Sequence, residues 1–298
     1  MISGHALRTS AFKQVDVFTA VPMMGNPLAV ILDADGLSST DMQRIAGWTN
    51  LSETSFVLPP TQPGADYRVR IFTPRSELPF AGHPSVGTLH ALLDGGRIRA
   101  SEHIVQECAA GLLPMRIDTS AGDRRTFIRA PRARIGAQDA GLAGLARAAI
   151  GAPVRAARAA DGGPRWVICD CDNESTVRAL APDMAAVAAL CRAHDVIGLC
   201  AFGFANNDDY SLVVRVFCPV DGIPEDPVTG SANAAIGAFL RESGQLDAIG
   251  TRYRVSQGRE MGRNGFVDVN VDTKTGDVEI GGCSVTCVDG TMILPIGQ

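Results

Sequence analysis

Arg70-Ile71-Phe72-Thr73-Pro74, followed by Glu77, Pro79 and Gly82-His83-Pro84, returns later in the chain as Arg215-Val216-Phe217-Cys218-Pro219, followed by Glu225, Pro227 and Gly230-Ser231-Ala232. The offset is 145 residues at the arginines (215 − 70) and 148 at the glycines (230 − 82), so an insertion of three residues separates two otherwise superposable patterns. Two βα units could share common turn chemistry, but Phe, Pro, Glu, Pro and Gly matching in order favour duplication of a domain.

Each copy reads as strand, Pro-containing turn and helix. Tyr67 to Phe72 and Ser211 to Phe217 are rich in β-formers, whereas Ser85 to Leu93 and Ala232 to Leu240 are good helix sequence. Gly82 and Gly230 fall at the helix entrances, where the absence of a Cβ admits a ligand to the backbone. The free N–H groups of a first helical turn favour a carboxylate or phosphate. The residue after each glycine fits an N-cap: Ser231 is a good capper and His83 an unusual one, with Pro84 suited to the position beyond. That leaves His83 spare for chemistry, and two such entrances suggest one shared anion site.

A chain of 298 residues is comfortable for two domains. Its 46% hydrophobic content, 20% charged content and net charge of −5 give no electrostatic footprint for nucleic acid or an anionic membrane. Met1 to Gln14 has no apolar signal-like core, and Met184 to Leu190 is far too short to span a bilayer. Eight cysteines without a Cys-x-x-Cys pair, mostly inside apolar runs, read as reduced core thiols of a cytoplasmic protein. Cys169 and Cys171 lack the further Cys or His partners a zinc site requires.

In chain order, Phe12 to Thr19 and Leu28 to Leu32 are expected as a hairpin. Ser39 is expected to cap a short helix ending near Asn50, and Ser55 to Leu58 form the next strand. Strands are expected at His103 to Glu107 and Leu112 to Ile117. The polar stretch Thr119 to Arg125 then marks a boundary, giving domains 1–122 and 123–283. The second half is expected to run through a strand near Thr126 to Ala130, a helix around Leu142 to Ile150, a strand from Arg165 to Cys169 and a helix from Pro182 to Arg192. A hairpin of Leu199 to Ala205 and Tyr210 to Phe217 follows, then strands at Tyr253 to Ser256, Gly265 to Val271, Asp277 to Ile280 and Thr291 to Leu294. The Ala-rich run Ala143 to Ala160 reads as a surface helix with its connection. Glu53, between Asn50-Leu51-Ser52 and Thr54 at a strand mouth, could face a cleft, although a lone loop carboxylate is more often simply solvated.

Four stretches taken together, Asn50-Leu51-Ser52-Glu53-Thr54, Phe80-Ala81-Gly82-His83-Pro84, Glu225-Asp226-Pro227-Val228-Thr229-Gly230-Ser231-Ala232 and Gln257-Gly258-Arg259-Glu260-Met261-Gly262-Arg263, resemble the PhzF-like family, named for phenazine biosynthesis. The resemblance extends to the opening Phe12-Lys13-Gln14-Val15-Asp16-Val17-Phe18 and the turn Gly25-Asn26-Pro27-Leu28-Ala29-Val30. It implies an α+β, diaminopimelate-epimerase-like fold: two pseudo-symmetric domains, each a mostly antiparallel, barrel-like sheet around a central helix, with the active site between them. It also implies a last strand, about 284–298, returning to the first domain, and commonly a homodimer.

In cysteine-dependent epimerases of that fold a Cys precedes each entrance glycine. Ala81 and Thr229 stand there in this chain, and neither can shuttle a proton. The resemblance instead makes Glu53 the catalytic acid/base, supported by His83, Asp226 and Ser231, with backbone N–H groups near Gly82 and Gly230 binding the substrate. The implied reaction is an isomerisation that moves a proton between carbons of a small anionic substrate, without cofactor or metal. Asp226 could equally be a helix-flanking charge and Ser231 an ordinary cap. For Gly258 to Arg263, substrate contact and simple turn formation stay open, and His90 reads as packing. The rival reading is a catalytically silent binding or scaffold protein on the same fold.

Overall fold

The computed structural model describes residues 6–296 except 102 and 121, so the outermost ends of the expected first domain, 1–5 and 297–298, lie outside it. The chain divides into two units. The first comprises the chain up to Met23, Pro27–Ile128 and everything from Gly282; the second comprises Met24–Asn26 and Arg129–Gly281. The division after Ile128 falls beyond the polar stretch at 119–125, because β8 (Arg125–Arg129) still pairs with β7 (Gly111–Asp118) through Met115 and Ile128.

Unit 1 also holds β1 (Ala6–Val17), β2 (Asn26–Ile31), α1 (Ser39–Thr49), β3 (Thr54–Leu58), β4 (Tyr67–Phe72), β5 (Glu77–Leu78), α2 (Gly82–Asp94) and β6 (His103–Cys108). β2 runs parallel to β3, and β4 parallel to β6. β3–β4, β4–β5, β6–β7 and β7–β8 are antiparallel. α2 packs on β1, β3 and β4. Every residue from Gly82 to Leu92 is buried, as expected of a helix without a polar face. α1 lies on β3 and β4, closing a second apolar layer of Ile31, Met42, Ile45, Phe56 and Phe72.

Unit 2 comprises β9 (Arg134–Ile135), α3 (Ala140–Ile150), β10 (Ala156–Asp161), β11 (Arg165–Asn173), α4 (Glu174–Arg178), α5 (Met184–His194), β12 (Gly198–Phe204), β13 (Leu212–Cys218), β14 (Ile223–Asp226), α6 (Gly230–Glu242), β15 (Arg252–Gln257), β16 (Gly265–Val271) and the start of β17 (Val278–Ile296). Its pairings repeat those of unit 1. β11–β12 and β13–β15 are parallel; β12–β13, β13–β14, β15–β16 and β16–β17 are antiparallel. α6 takes the place of α2 and packs on β9, β10, β11 and β16.

Several local expectations are corrected. α1 is capped by Ser38, not Ser39, in a reciprocal box with Asp41. α5 starts at Met184 after an Asp183 cap, rather than at Pro182. The caps of α2 and α6 are Ala81 and Thr229, one residue before each glycine, because both are extended and their carbonyls accept the first helical bonds, from Ser85 and Asn233. Ser231 is therefore inside the helix rather than at its cap. The Ala-rich run 143–160 contains β10 as well as α3: pairing with β11 overrides alanine's weak strand preference. Finally, the strands expected at 277–280 and 291–294 are parts of one, β17, which pairs with β16 at its start and with β1 from Ser284 onward.

Candidate active site

The loop carrying Glu53 is built by α1. Asn50 ends that helix in the left-handed region, φ 54° and ψ 26°, which asparagine tolerates better than most residues. The chain turns there into β3. Thr49 Oγ1 lies 2.8 Å from Thr54 Oγ1, and also donates to the Ala46 carbonyl at 3.0 Å, so the two ends of the loop are stapled around Leu51-Ser52-Glu53. Sequence reasoning missed this pair; the two threonines flanking the Asn-Leu-Ser-Glu stretch were the available signal.

His83, in the first turn of α2, faces that loop. Its Nδ1 lies 3.4 Å from Glu53 Oε2, with the two side chains 6% and 18% exposed. A carboxylate largely shielded from water and beside an imidazole can exchange a proton while its charge is supported by a neighbour. Gly82 begins the same helix and is buried. Glu53, Gly82 and His83 thus meet within unit 1.

Asp226, Gly230 and Ser231 belong to unit 2. Asp226 ends β14, Gly230 begins α6 and Ser231 follows it, half-buried. Both Asp226 carboxylate oxygens are engaged: Oδ1 accepts from Asn26 Nδ2 at 3.1 Å, and Oδ2 accepts a short hydrogen bond from the Thr229 hydroxyl. Asn26 Nδ2 also donates to the Val228 carbonyl at 2.9 Å, which explains the asparagine in the Gly25-Asn26-Pro27 turn.

The turn left open by sequence reasoning, Gly258 to Arg263, is anchored inside unit 2. Arg178 bridges Glu174 at 2.7 Å and Glu260 at 2.8 Å, and Arg259 reaches the Tyr210 hydroxyl at 3.1 Å and Asn264 at 2.9 Å. Gly258 has φ 95°, and a Cβ there would lie 2.6 Å from the Pro227 carbonyl oxygen, so the loop needs glycine to approach the Asp226-Pro227 segment. Among the described residues no group of three or more His, Cys, Asp or Glu is placed to hold a metal ion, and no helix is long and apolar enough to cross a membrane.

The family model described as phenazine biosynthesis-like protein matches residues 15–290. The trans-2,3-dihydro-3-hydroxyanthranilate isomerase of Pseudomonas chlororaphis is 33% identical over 284 residues, 94% of this chain and 98% of that one. A Schizosaccharomyces pombe protein called antisense-enhancing sequence 1 is 37% identical over 292 residues, 94% of this chain and 97% of that one. Among solved structures, the Bacillus anthracis phenazine biosynthesis protein of the PhzF family superposes with a TM-score of 0.81 at 27% identity, covering 96% of this chain and 99% of that one. A hydroxyproline epimerase from Agrobacterium vitis shares the fold, with a TM-score of 0.66 at 15% identity over 97% of this chain and 94% of that one.

The chain belongs to the PhzF-like family and has its diaminopimelate-epimerase-like, mixed α+β fold. It is an isomerase of that family acting on a small molecule.

Proposed function

We propose that Glu53 is the single acid/base of a proton-shifting isomerisation on a small unsaturated carboxylate. The Glu53 carboxylate takes a proton from a carbon next to a double bond. The C–H electrons move into the π system, the double bond shifts, and the Glu53 carboxylic acid returns the proton to the far carbon. Atoms and charge balance without a cofactor. His83 supports the Glu53 charge, and Asp226 and Ser231 orient the substrate. The N–H groups at Gly82 and Gly230 receive its carboxylate and the enolate-like charge that develops. The observation carrying this reading is the Glu53–His83 contact at an entrance whose capping residue, Ala81, has no ionisable group.

The substrate class follows the dihydro-hydroxyanthranilate of the Pseudomonas chlororaphis relative's name. The test is incubation of trans-2,3-dihydro-3-hydroxyanthranilate, and of a panel of small unsaturated carboxylates, in deuterated water. Turnover with deuterium at the newly protonated carbon supports the reading, as does its loss in Glu53→Gln.

The relative called antisense-enhancing sequence 1, whose name is not that of an enzyme, keeps a binding role in view as the second reading. Carboxylates that raise the melting temperature of wild type and Glu53→Gln alike, without turnover in either, would establish that role instead.

A further inference from the structure

Thr229 caps α6 yet its hydroxyl makes no capping hydrogen bond to the helix. A threonine in that position ordinarily stabilises its helix by about 0.5–2 kcal/mol through such a bond. Here the hydroxyl hydrogen goes to Asp226 Oδ2. What directs it is Gln257, at the end of β15 and 1% exposed.

All four bonds of the Gln257 amide are made. Oε1 accepts from the Thr229 backbone N–H and from Asn233 Nδ2, both at 3.1 Å. Nε2 donates to the Asp226 backbone carbonyl and to Thr229 Oγ1, both at 3.0 Å. A backbone N–H can only donate and a carbonyl can only accept, so the amide has one permissible orientation. Asn233 is fixed in turn by donating to the Thr229 carbonyl at 2.8 Å. With one hydrogen received from Gln257, the Thr229 hydroxyl is left to give its own to Asp226.

We propose that Gln257 and Thr229 are positioning residues: Gln257 sets the direction of the Thr229 hydroxyl, and Thr229 holds the Asp226 carboxylate in the orientation the substrate meets. This rests on the reading above, in which Asp226 contacts substrate. Among the described residues, the matching entrance of unit 1 has no such relay. Its cap is Ala81, and its buried Gln106 takes a hydrogen bond from Tyr67 at 3.0 Å and donates to Ser85 at 2.9 Å.

Three variants test the relay. Thr229→Val keeps the shape and removes the donor, Thr229→Ser restores it, and Gln257→Glu is nearly isosteric but turns an acceptor oxygen toward the Asp226 carbonyl and the Thr229 hydroxyl. With trans-2,3-dihydro-3-hydroxyanthranilate as probe, kcat should fall about tenfold in Thr229→Val, the scale of one hydrogen bond to a charged group, and return to within about twofold in Thr229→Ser. In Gln257→Glu the loss should reach about 100-fold, as misplacement of a contact group can. Crystal structures supply a readout that needs no substrate: the Asp226 carboxylate should rotate in Thr229→Val and sit as in wild type in Thr229→Ser.

Wild-type turnover in Thr229→Val, or an unmoved carboxylate there, overturns the proposal even if Gln257→Glu fails to fold. If the wild type leaves the probe unchanged, the crystal structures alone decide. Asp226→Asn at full wild-type turnover sinks the role of Asp226 in the reaction, and the relay's function with it, whereas a slow Asp226→Asn beside a normal Thr229→Val rejects the relay alone.

Discussion

In β3 and β4, Thr54 lies opposite Phe72; in β12 and β13, Leu199 lies opposite Phe217. Phe72 and Phe217 occupy the same place in the repeat, so the residue corresponding to Glu53 in the second unit is Gly198. A Cβ at Gly198 would lie 2.5 Å from the Phe217 carbonyl oxygen, 2.8 Å from the Trp166 ring and 2.9 Å from Cys218 Sγ. No side chain fits there, least of all a carboxylate. The duplication therefore supplies one carboxylate at this position, not a pair. The second unit's carboxylate comes from another element, β14, and is clamped at both oxygens, whereas Glu53 meets His83 at a distance long for a hydrogen bond. In the proposed reaction Glu53 changes protonation beside His83, whereas Asp226 keeps its charge and orients the substrate.

Replacing the two carboxylates by their amides probes that contrast most strongly. Glu53→Gln should lower kcat by about 100-fold to 10,000-fold, the usual contribution of a positioned acid/base, in a protein that still folds. Asp226→Asn, which keeps shape and loses only charge and one acceptor, should cost less and show part of its effect in KM. Equal losses in the two variants would erase the distinction between the units.

The duplication was legible because turn chemistry is local: Pro, Glu, Pro and Gly at fixed spacing carry it without any knowledge of pairing. The expected caps, His83 and Ser231, lie two residues beyond the observed ones, because cap preference by residue type favours serine and only the extended backbone at Ala81 and Thr229 places the helix start. Two-residue strands such as β5 and β9 have no period to detect. β17 carries Gly281-Gly282 and Asp289-Gly290, which imitate turns in a strand that partners on its flanks keep extended. Glu53 and His83 are thirty positions apart (83 − 53), so their meeting was legible only through family resemblance. The hydrogen bonds of Gln257 depend on β14, β15 and α6 coming together, and no spacing in the sequence announces them.

The repeated Arg–Glu pair sharpens the comparison in energetic form. Arg215 and Glu225 are 7% and 13% exposed, and Arg215 also donates to the Leu180 carbonyl at 2.7 Å. Arg70 and Glu77 are 26% and 36% exposed. Arg215→Ala strands a shielded carboxylate and should cost about 3–5 kcal/mol in denaturant unfolding. Arg70→Ala should cost no more than about 1 kcal/mol, because water screens the pair. Similar losses would mean that the two pairs do the same structural job despite their different burial.

A third contrast lies along the central helices, where His90 of α2 corresponds to Ala238 of α6 (90 + 148). Burial first, and then Arg124, push the His90 pKa down from 6.5 to about 4. Its ring also faces Asp94, which pulls the pKa up, and Lys13, which pushes it down; Thr286 lies 3.2 Å from Nε2 and Arg124 3.4 Å from Nδ1. Between pH 4 and 6.5 the unfolded chain binds the proton and the folded chain does not. The neutral ring therefore costs nothing above about pH 6.5 and lowers stability as pH falls toward 4, by up to about 3 kcal/mol. His90→Gln should flatten that part of the stability profile, measured by urea unfolding from pH 4 to 7. An unchanged slope would locate the acid sensitivity elsewhere.

The smallest expected effect concerns the thiols, which are also divided unequally. Unit 2 holds Cys169, Cys171, Cys191, Cys200 and Cys218, all buried; Cys283 and Cys287, partly exposed, belong to unit 1 with the buried Cys108. Burial pushes Cys171 up to about 12 and Cys191 up to about 11, and Cys169 and Cys200 well above the ordinary thiol value. The thiolate is the reactive form, so these four should resist iodoacetamide at pH 8 while the protein is folded. Labelling, read by peptide mass spectrometry, should be confined to Cys283 and Cys287. Turnover should be unchanged, because neither entrance carries a thiol: the positions are Ala81 and Thr229. Rapid inactivation that tracks modification of one cysteine in a still folded protein would show that a thiol takes part and would overturn a reaction carried by Glu53 alone.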